Sequence, residues 1–386
     1  MANGTLRTNT LGFKVGLAGL VGLACLSAVD AQACLSSCSS SSDSSSPFAS
    51  TVSGSAQKQG EISTGAAITT SRAQGTQTST AVSGRINSTV SRAFAPAGTP
   101  STKVSALGHQ QFESGIAGGD DAANYAVWGD GTMTRMVSND SGPTGASWGR
   151  NYGMVVGGDA RFGQFLVGLA GAFQSSNVTL TDLDGRTNVA SYGVTPYLAY
   201  SINQIFSVST QFSYAHVVSA QHLFESDTTS GVGSTRTNGN WDGDRYGGSF
   251  AVNAYYPIGK INLTGTTGVS YTHESPDSYI NDRSQRISPK ASNVGLYQLG
   301  AEIGYAFTDF EPYVGITMEY EFDSTGVQNL RTGNTVNTSG TVDAIYKVGG
   351  RMHFNDTILG GLEFSTLQHR DYDQSYSLSA NVRVAF

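Results

Sequence analysis

The segment GASWG at Gly145–Gly149 satisfies the G-x-S-x-G spacing that presents a nucleophilic serine, here Ser147. That chemistry needs a strained strand-to-helix turn and an adjacent histidine. In this chain the motif falls in a polar loop running into a strand pattern, so it reads as a loop. DLDG (Asp182–Gly185) and WDGD (Trp241–Asp244) offer carboxylate oxygens to Ca²⁺. They lack the other ligands of a full calcium loop, and turn formation accounts for Asp-Gly without a metal. The histidines at 109, 216, 222, 273, 353 and 369 show no ligand spacing. No catalytic residue, cofactor site or metal site is expected, and the chain does not read as an enzyme.

The residues with a role left to explain are charged ones that strand alternation turns to one side. Glu302, Glu319, Glu321 and Glu363 share that side with Arg245, Lys347, Arg351 and Arg383. One reading is a self-neutralising lattice of charges. The sharper reading has some of the acids dock an N-terminal segment in which Lys58, Arg72, Arg85 and Arg92 outnumber Glu61. Arg85 and Arg92 are its expected contacts. Attraction in a confined, partly desolvated space exceeds that at an open surface.

The elements that position these groups are strands. From about residue 122 onward, alternating runs fall near 122–137, 150–161, 164–175, 189–201, 204–217, 244–257, 260–273, 293–307, 310–323, 341–354, 357–368 and 374–386. Each is long enough to cross a bilayer when tilted. The even-numbered gaps are short, such as RFGQ, INQ, PIGK, TD and ND; the odd-numbered gaps are mostly long and polar, as at 218–243, 274–292 and 324–340. In FEPYVGITMEYEF, Pro312, Val314, Ile316, Met318, Tyr320 and Phe322 form one apolar face with aromatics towards its end. Short turns on one side, long loops on the other and aromatic ends are the marks of an outer-membrane barrel. The fold class is therefore all-β: a transmembrane antiparallel up-and-down barrel of about twelve strands with a short helix in its lumen.

The rest of the chain is of another kind. Arg7 and Lys14 precede the apolar run Val15–Leu26, and Ala31-Gln32-Ala33 closes an export signal spanning 1–33. Cys34 and Cys38 invite a disulfide in an oxidising compartment, with lipid attachment at Cys34 as the alternative. Residues 34–110 are Ser/Thr-rich and low in complexity and read mostly as a linker. Within them Val82, Ile86, Val90 and Phe94 recur every four residues, which predicts the lumen helix near 79–95. The formal net charge of −7 carries no basic excess, so nucleic acid is not an expected partner.

The chain ends on YSLSANVRVAF, whose Tyr376, Leu378, Val382, Val384 and Phe386 alternate with mostly polar residues. With YAVWGDGTMTRM around Trp128, the glycine-rich hairpin around Gly157, Gly158 and Asp159, and SYGVTPYLAYSINQIFSVSTQFSYAH, this ending resembles the autotransporters of type V secretion over residues 120–386. The resemblance implies a twelve-stranded monomeric barrel in the Gram-negative outer membrane, threaded by a helix, that delivers an N-terminal passenger to the cell surface. It implies as partners the general secretion translocon, periplasmic chaperones, outer-membrane lipid and the barrel-assembly machinery, which reads the terminal aromatic. The passenger is the departure, at only about 80 residues without repeats. A porin-like channel, or an adhesin acting through long loops, remains the alternative.

Overall fold

Alternation of apolar and small polar residues gives each strand one face for lipid and one for water, and closure leaves no unpaired edge. The structure, a computed structural model, describes residues 52–93, 125–139, 146–181, 185–225, 235–325, 327–328, 335–336, 339–354, 357–368 and 373–386. Among the described residues one helix, α1 (Val52–Ala93), precedes twelve long strands. These are β1 (Tyr125–Ser138), β2 (Ser147–Phe162), β3 (Phe165–Leu180), β4 (Gly185–Ser201), β5 (Phe206–Glu225) and β6 (Thr235–Ile258). The second half comprises β7 (Ile261–Pro276), β8 (Ser292–Tyr305), β9 (Phe310–Ser324), β10 (Val342–His353), β11 (Ile358–Gln368) and β12 (Asp373–Ala385).

Neighbours in sequence pair antiparallel, and β12 closes on β1 from Ala126↔Ala385 to Ser138↔Asp373. Gly163 and Gly259 adopt φ of 58° and 62° in the two-residue turns after β2 and β6, a left-handed geometry that favours glycine. The outer wall carries exposed aromatics at two levels. Tyr214 and Tyr246 pair at the upper one, with ring centroids 5.4 Å apart, and at the lower one exposed Phe165 packs on half-buried Tyr200. Tyr246 to Tyr256 on β6, like Tyr376 to Phe386 on β12, spans ten residues, about 25 Å after strand tilt. That matches the apolar band of an outer-membrane barrel.

Two expectations are corrected. The segment 218–243 is not mostly loop: β5 and β6 pair from Phe206↔Ala254 up to Glu225↔Thr235. Above the bilayer the outer face meets water, so apolar alternation stops while the hydrogen-bond ladder continues and the inner face packs on the helix and the segment between β7 and β8. The helix is also not a short piece near 79–95; it runs for 42 residues, about 63 Å at helical rise. Of the stripe that predicted it, Val82 and Ile86 are buried. The side chain of Val90 and all of Phe94 lie outside the described residues.

Candidate functional site: the helix in the lumen

Helix α1 is poor in apolar residues, and alone it would have no reason to form. Its walls supply the reason. Ser63, Thr64, Thr70, Gln74 and Val82 are fully buried. Thr64 and Thr69 donate to the carbonyls of Gly60 and Gly65, one turn back, so their hydroxyls are satisfied within the helix. Its contacts fall chiefly on β2 through β8, so it lies against one side of the wall.

At the long-loop end Ile62 packs on Val178, Leu180 and Leu223. The segment between β7 and β8 lies against this end of the helix. Asn281 donates to Gln59 (2.9 Å), Lys290 pairs with Glu61 (2.6 Å), and the Lys290 amide donates to Thr64 (3.0 Å). Tyr279 stacks on Trp241 at 5.0 Å and sits 3.2 Å from the Ser63 hydroxyl. Burial pushes the Tyr279 hydroxyl up to about 12, with Ser63 opposing by a smaller amount, so the phenol keeps its proton for hydrogen bonding.

The middle of the helix is held by charge. Arg72 donates to Glu321 and to Asp343 (2.7 Å), with Glu319 at 3.6 Å. Ser71 donates to Glu274, which also receives Arg245 at 2.6 and 2.8 Å, and Arg245 reaches Gln74 at 2.6 Å. Gln74 donates to Ser176 and accepts from Ser191. Asn151 donates to Gln77 at 2.8 Å; a side chain at Gly153 would overlap the Gln77 amide.

At the short-turn end Val82 and Ile86 join a cluster of Trp128, Val155, Leu166, Ala170, Tyr197 and Ala199. Arg85 grips Asp159 in two-pronged fashion, at 2.7 and 2.5 Å. Tyr197 donates to the same carboxylate at 2.9 Å while accepting from Trp128 at 2.8 Å. Gly157 and Gly168 are required here, because a Cβ would run into the Trp128 and Tyr197 rings respectively. The glycine-rich hairpin of β2 and β3 is therefore shaped to admit two large rings beneath an arginine.

The expected partnership of Arg85 with the glutamates is thus corrected: its partner is Asp159. The acids at Glu319 and Glu321 instead meet Arg72, which lies three and a half turns earlier on the same helix. Glu302 pairs with Arg351 (2.5 Å), which also holds Glu311 (2.8 Å) and lies 4.1 Å over the Tyr313 ring. Glu363 accepts from Tyr313 at 2.9 Å. These groups pair with one another across β8 to β11 without the helix. The side chain of Arg92 lies outside the described residues. Asp159 carried a legible signal: an inward acid beside two glycines, three residues before a tight turn.

Beside the helix the lumen holds a cavity of about 460 Å³, lined by Arg72, Glu302, Lys347, Arg351 and Glu363 among others. Tyr376, Leu378, Val382, Val384 and Phe386 share the outer face of β12; Phe386 is 67% exposed, and its amide donates to the Tyr125 carbonyl at 2.9 Å. Ser147 opens β2, opposite Ser138 and Leu180, on a strand and not at a strand-to-helix turn. Among the described residues no group of His, Cys, Asp and Glu is arranged to hold a metal.

A closed twelve-stranded antiparallel barrel with a helix against its inner wall is the architecture of an outer-membrane barrel. Residues 127–365 match the autotransporter beta-domain, and the chain belongs to that family. Its place is the outer membrane of a Gram-negative bacterium. Among solved structures it is similar to the translocator domain of the autotransporter NalP from Neisseria meningitidis. That match has 11% identity and a TM-score of 0.57, over 69% of this chain and 90% of that one. The beta domain of the Bordetella autotransporter Brka matches at 13% identity and a TM-score of 0.53, over 68% and 100%. The uncharacterized protein YaiT of Escherichia coli K12 is 23% identical over 302 residues, 69% of this chain. The chain spans only 30% of that relative's length.

Proposed function

We propose that the barrel carries its own N-terminal segment outward and displays it, with α1 as the last portion left in the pore. The observation that carries this reading is the helix's direction. Its C-terminal part meets Asp159 beside the short turns, and its N-terminal part meets Tyr279 and Lys290 beyond the bilayer. Short turns face the periplasm in such barrels, so the chain preceding Val52 leads to the cell exterior. In this reading residues 1–33 are the export signal and 34–51 belong to the displayed passenger. An epitope inserted after Ser46 tests it: on intact cells external protease should remove the epitope while the barrel survives. Protection of the epitope until the outer membrane is permeabilised sinks the proposal.

Export by this route requires assembly of the barrel first, and the outer face of β12 is the proposed recognition element for the assembly machinery. An extended terminal strand is suited to strand addition before closure. Deleting Phe386 should lower outer-membrane yield far more than its single ring contributes to the folded wall. Normal yield of that variant would remove the ending from the assembly signal.

A further inference from the structure

On β1 and β2, Arg135 and Arg150 stand directly opposite each other in register, both exposed on the outer wall. Like charges directly opposite on antiparallel strands are destabilising. Among the described residues neither guanidinium has a carboxylate to relieve it, for no outward position of β12 or of β1 to β4 holds Asp or Glu. Their height is fixed by their neighbours. Arg135 is in register with Tyr376 of β12, and Tyr152 follows Arg150 by two residues, about 7 Å along the strand. Tyr376 and Tyr152 are exposed outer-wall aromatics, so the arginine pair sits at the level where headgroups meet the apolar band.

Lower on the lipid-facing wall a groove of about 680 Å³ crosses from β2 to β5, between Val156, Phe173, Tyr192 and Val194 and as far as Tyr214 and His216, with Gly171 in its floor. It begins at Met154, four residues or about 13 Å below Arg150. Two unpaired cations at headgroup level above an apolar furrow form the two halves of a lipid site.

We propose that this face binds one phosphate-bearing lipid of the outer leaflet, its phosphate bridging Arg135 and Arg150 and an acyl chain lying over Gly171. Guanidinium forks bind phosphate through paired, charge-assisted hydrogen bonds. A shared anion turns the repulsive pair into an attractive one. The site is on the outer wall and is independent of passenger export, so its failure leaves the translocator reading intact.

Native mass spectrometry of the full-length protein, extracted from outer membranes in mild detergent, reads the site. Wild type should keep a phosphorylated lipid through delipidation. The double variant Arg135→Gln, Arg150→Gln should keep about tenfold less, as expected from the loss of charged hydrogen bonds. Gly171→Val offers a second test: a Cβ there lies 4.0 Å from the nearest neighbours, the carbonyl oxygens of Gly193 and Val156, so the side chain enters the furrow several residues away from the arginines. It too should lower retention, with folding checked by the faster gel migration of the unheated barrel. Equal retention by both variants overturns the proposal, as does equal retention of a phosphate-free lipid by wild type. Protection of wild type against heat by inorganic phosphate as strong as that by the phospholipid would make it a simple anion patch, and also overturns it.

Discussion

The two sides of the lumen wall solve the same problem by opposite means. From β2 to β8 the inward charges and amides are spent on the helix: Asp159 on Arg85, Glu274 on Ser71, Gln174 on the carbonyl of Gln74. From β8 to β11 they are spent on each other, through Arg351 with Glu302 and Glu311, and Tyr313 with Glu363. The first side hydrogen-bonds chiefly to the helix. The second borders the cavity and pairs most of its charges within the wall. Arg72 is the exception that joins them, reaching from the helix to Glu321 and Asp343. A helix that fills one side tightly and leaves the other open resembles a stopper seated against a wall more than a buried core element.

Removing α1 should break this arrangement most visibly. A helix with its side chains occupies a cylinder about 10–12 Å wide, so deleting residues 52–93 should raise single-channel conductance severalfold in planar bilayers. The self-paired side should stay folded, and the barrel should keep its heat-modifiable migration. Equal conductance with and without the helix would mean that it does not obstruct the pore. A smaller effect separates the two sides by mutation. Asp159→Ala leaves Arg85 buried without its carboxylate, and breaking a buried pair costs about 3–5 kcal/mol. Glu363→Ala, beside the cavity, removes one hydrogen bond from Tyr313 and should cost about 0.5–1.5 kcal/mol. The temperature at which each variant loses its folded gel band gives the order. If Glu363→Ala is the more damaging, the assignment of the two sides is reversed.

The same contrast governs what could be read from the sequence. The twelve strands were legible because lipid forces alternation on every crossing, as in Val314, Ile316 and Met318. The membrane-distal halves of β5 and β6 were not, since Thr237, Asn240 and Asp242 meet water or polar neighbours and set no period. Most of the helix was invisible for a related reason: its buried residues include Ser63 and Gln74, polar residues with partners 100 or more positions away. Val82 and Ile86, against the aromatic cluster, left an apolar trace at helical spacing. The lumen acids were recognisable as inward-facing, but their partners were not. Alternation assigns a residue to a face without saying which helical turn passes opposite.

A single added methyl tests whether the helix side is shaped as closely as its contacts imply. On β2, Gly157 faces inward, and a Cβ there would sit 2.7 Å from Trp128 ring atoms. Trp128 cannot retreat easily, because its Nε1 donates to Tyr197, which in turn donates to Asp159 beneath Arg85. One added methyl therefore presses on a chain of three hydrogen bonds ending at the helix. Overpacking of this kind costs about 1–3 kcal/mol, so Gly157→Ala should lower the temperature of gel-band loss and quench less or shift the Trp128 fluorescence. Gly131, on the outer face of β1, has no heavy atom within 4 Å of an added Cβ. Gly131→Ala should leave both readings near wild type. The pair shares residue type, change and barrel region and differs in the face each glycine occupies. Should both variants behave alike, Trp128 has room to move, and the tight seating of the helix at its short-turn end is wrong.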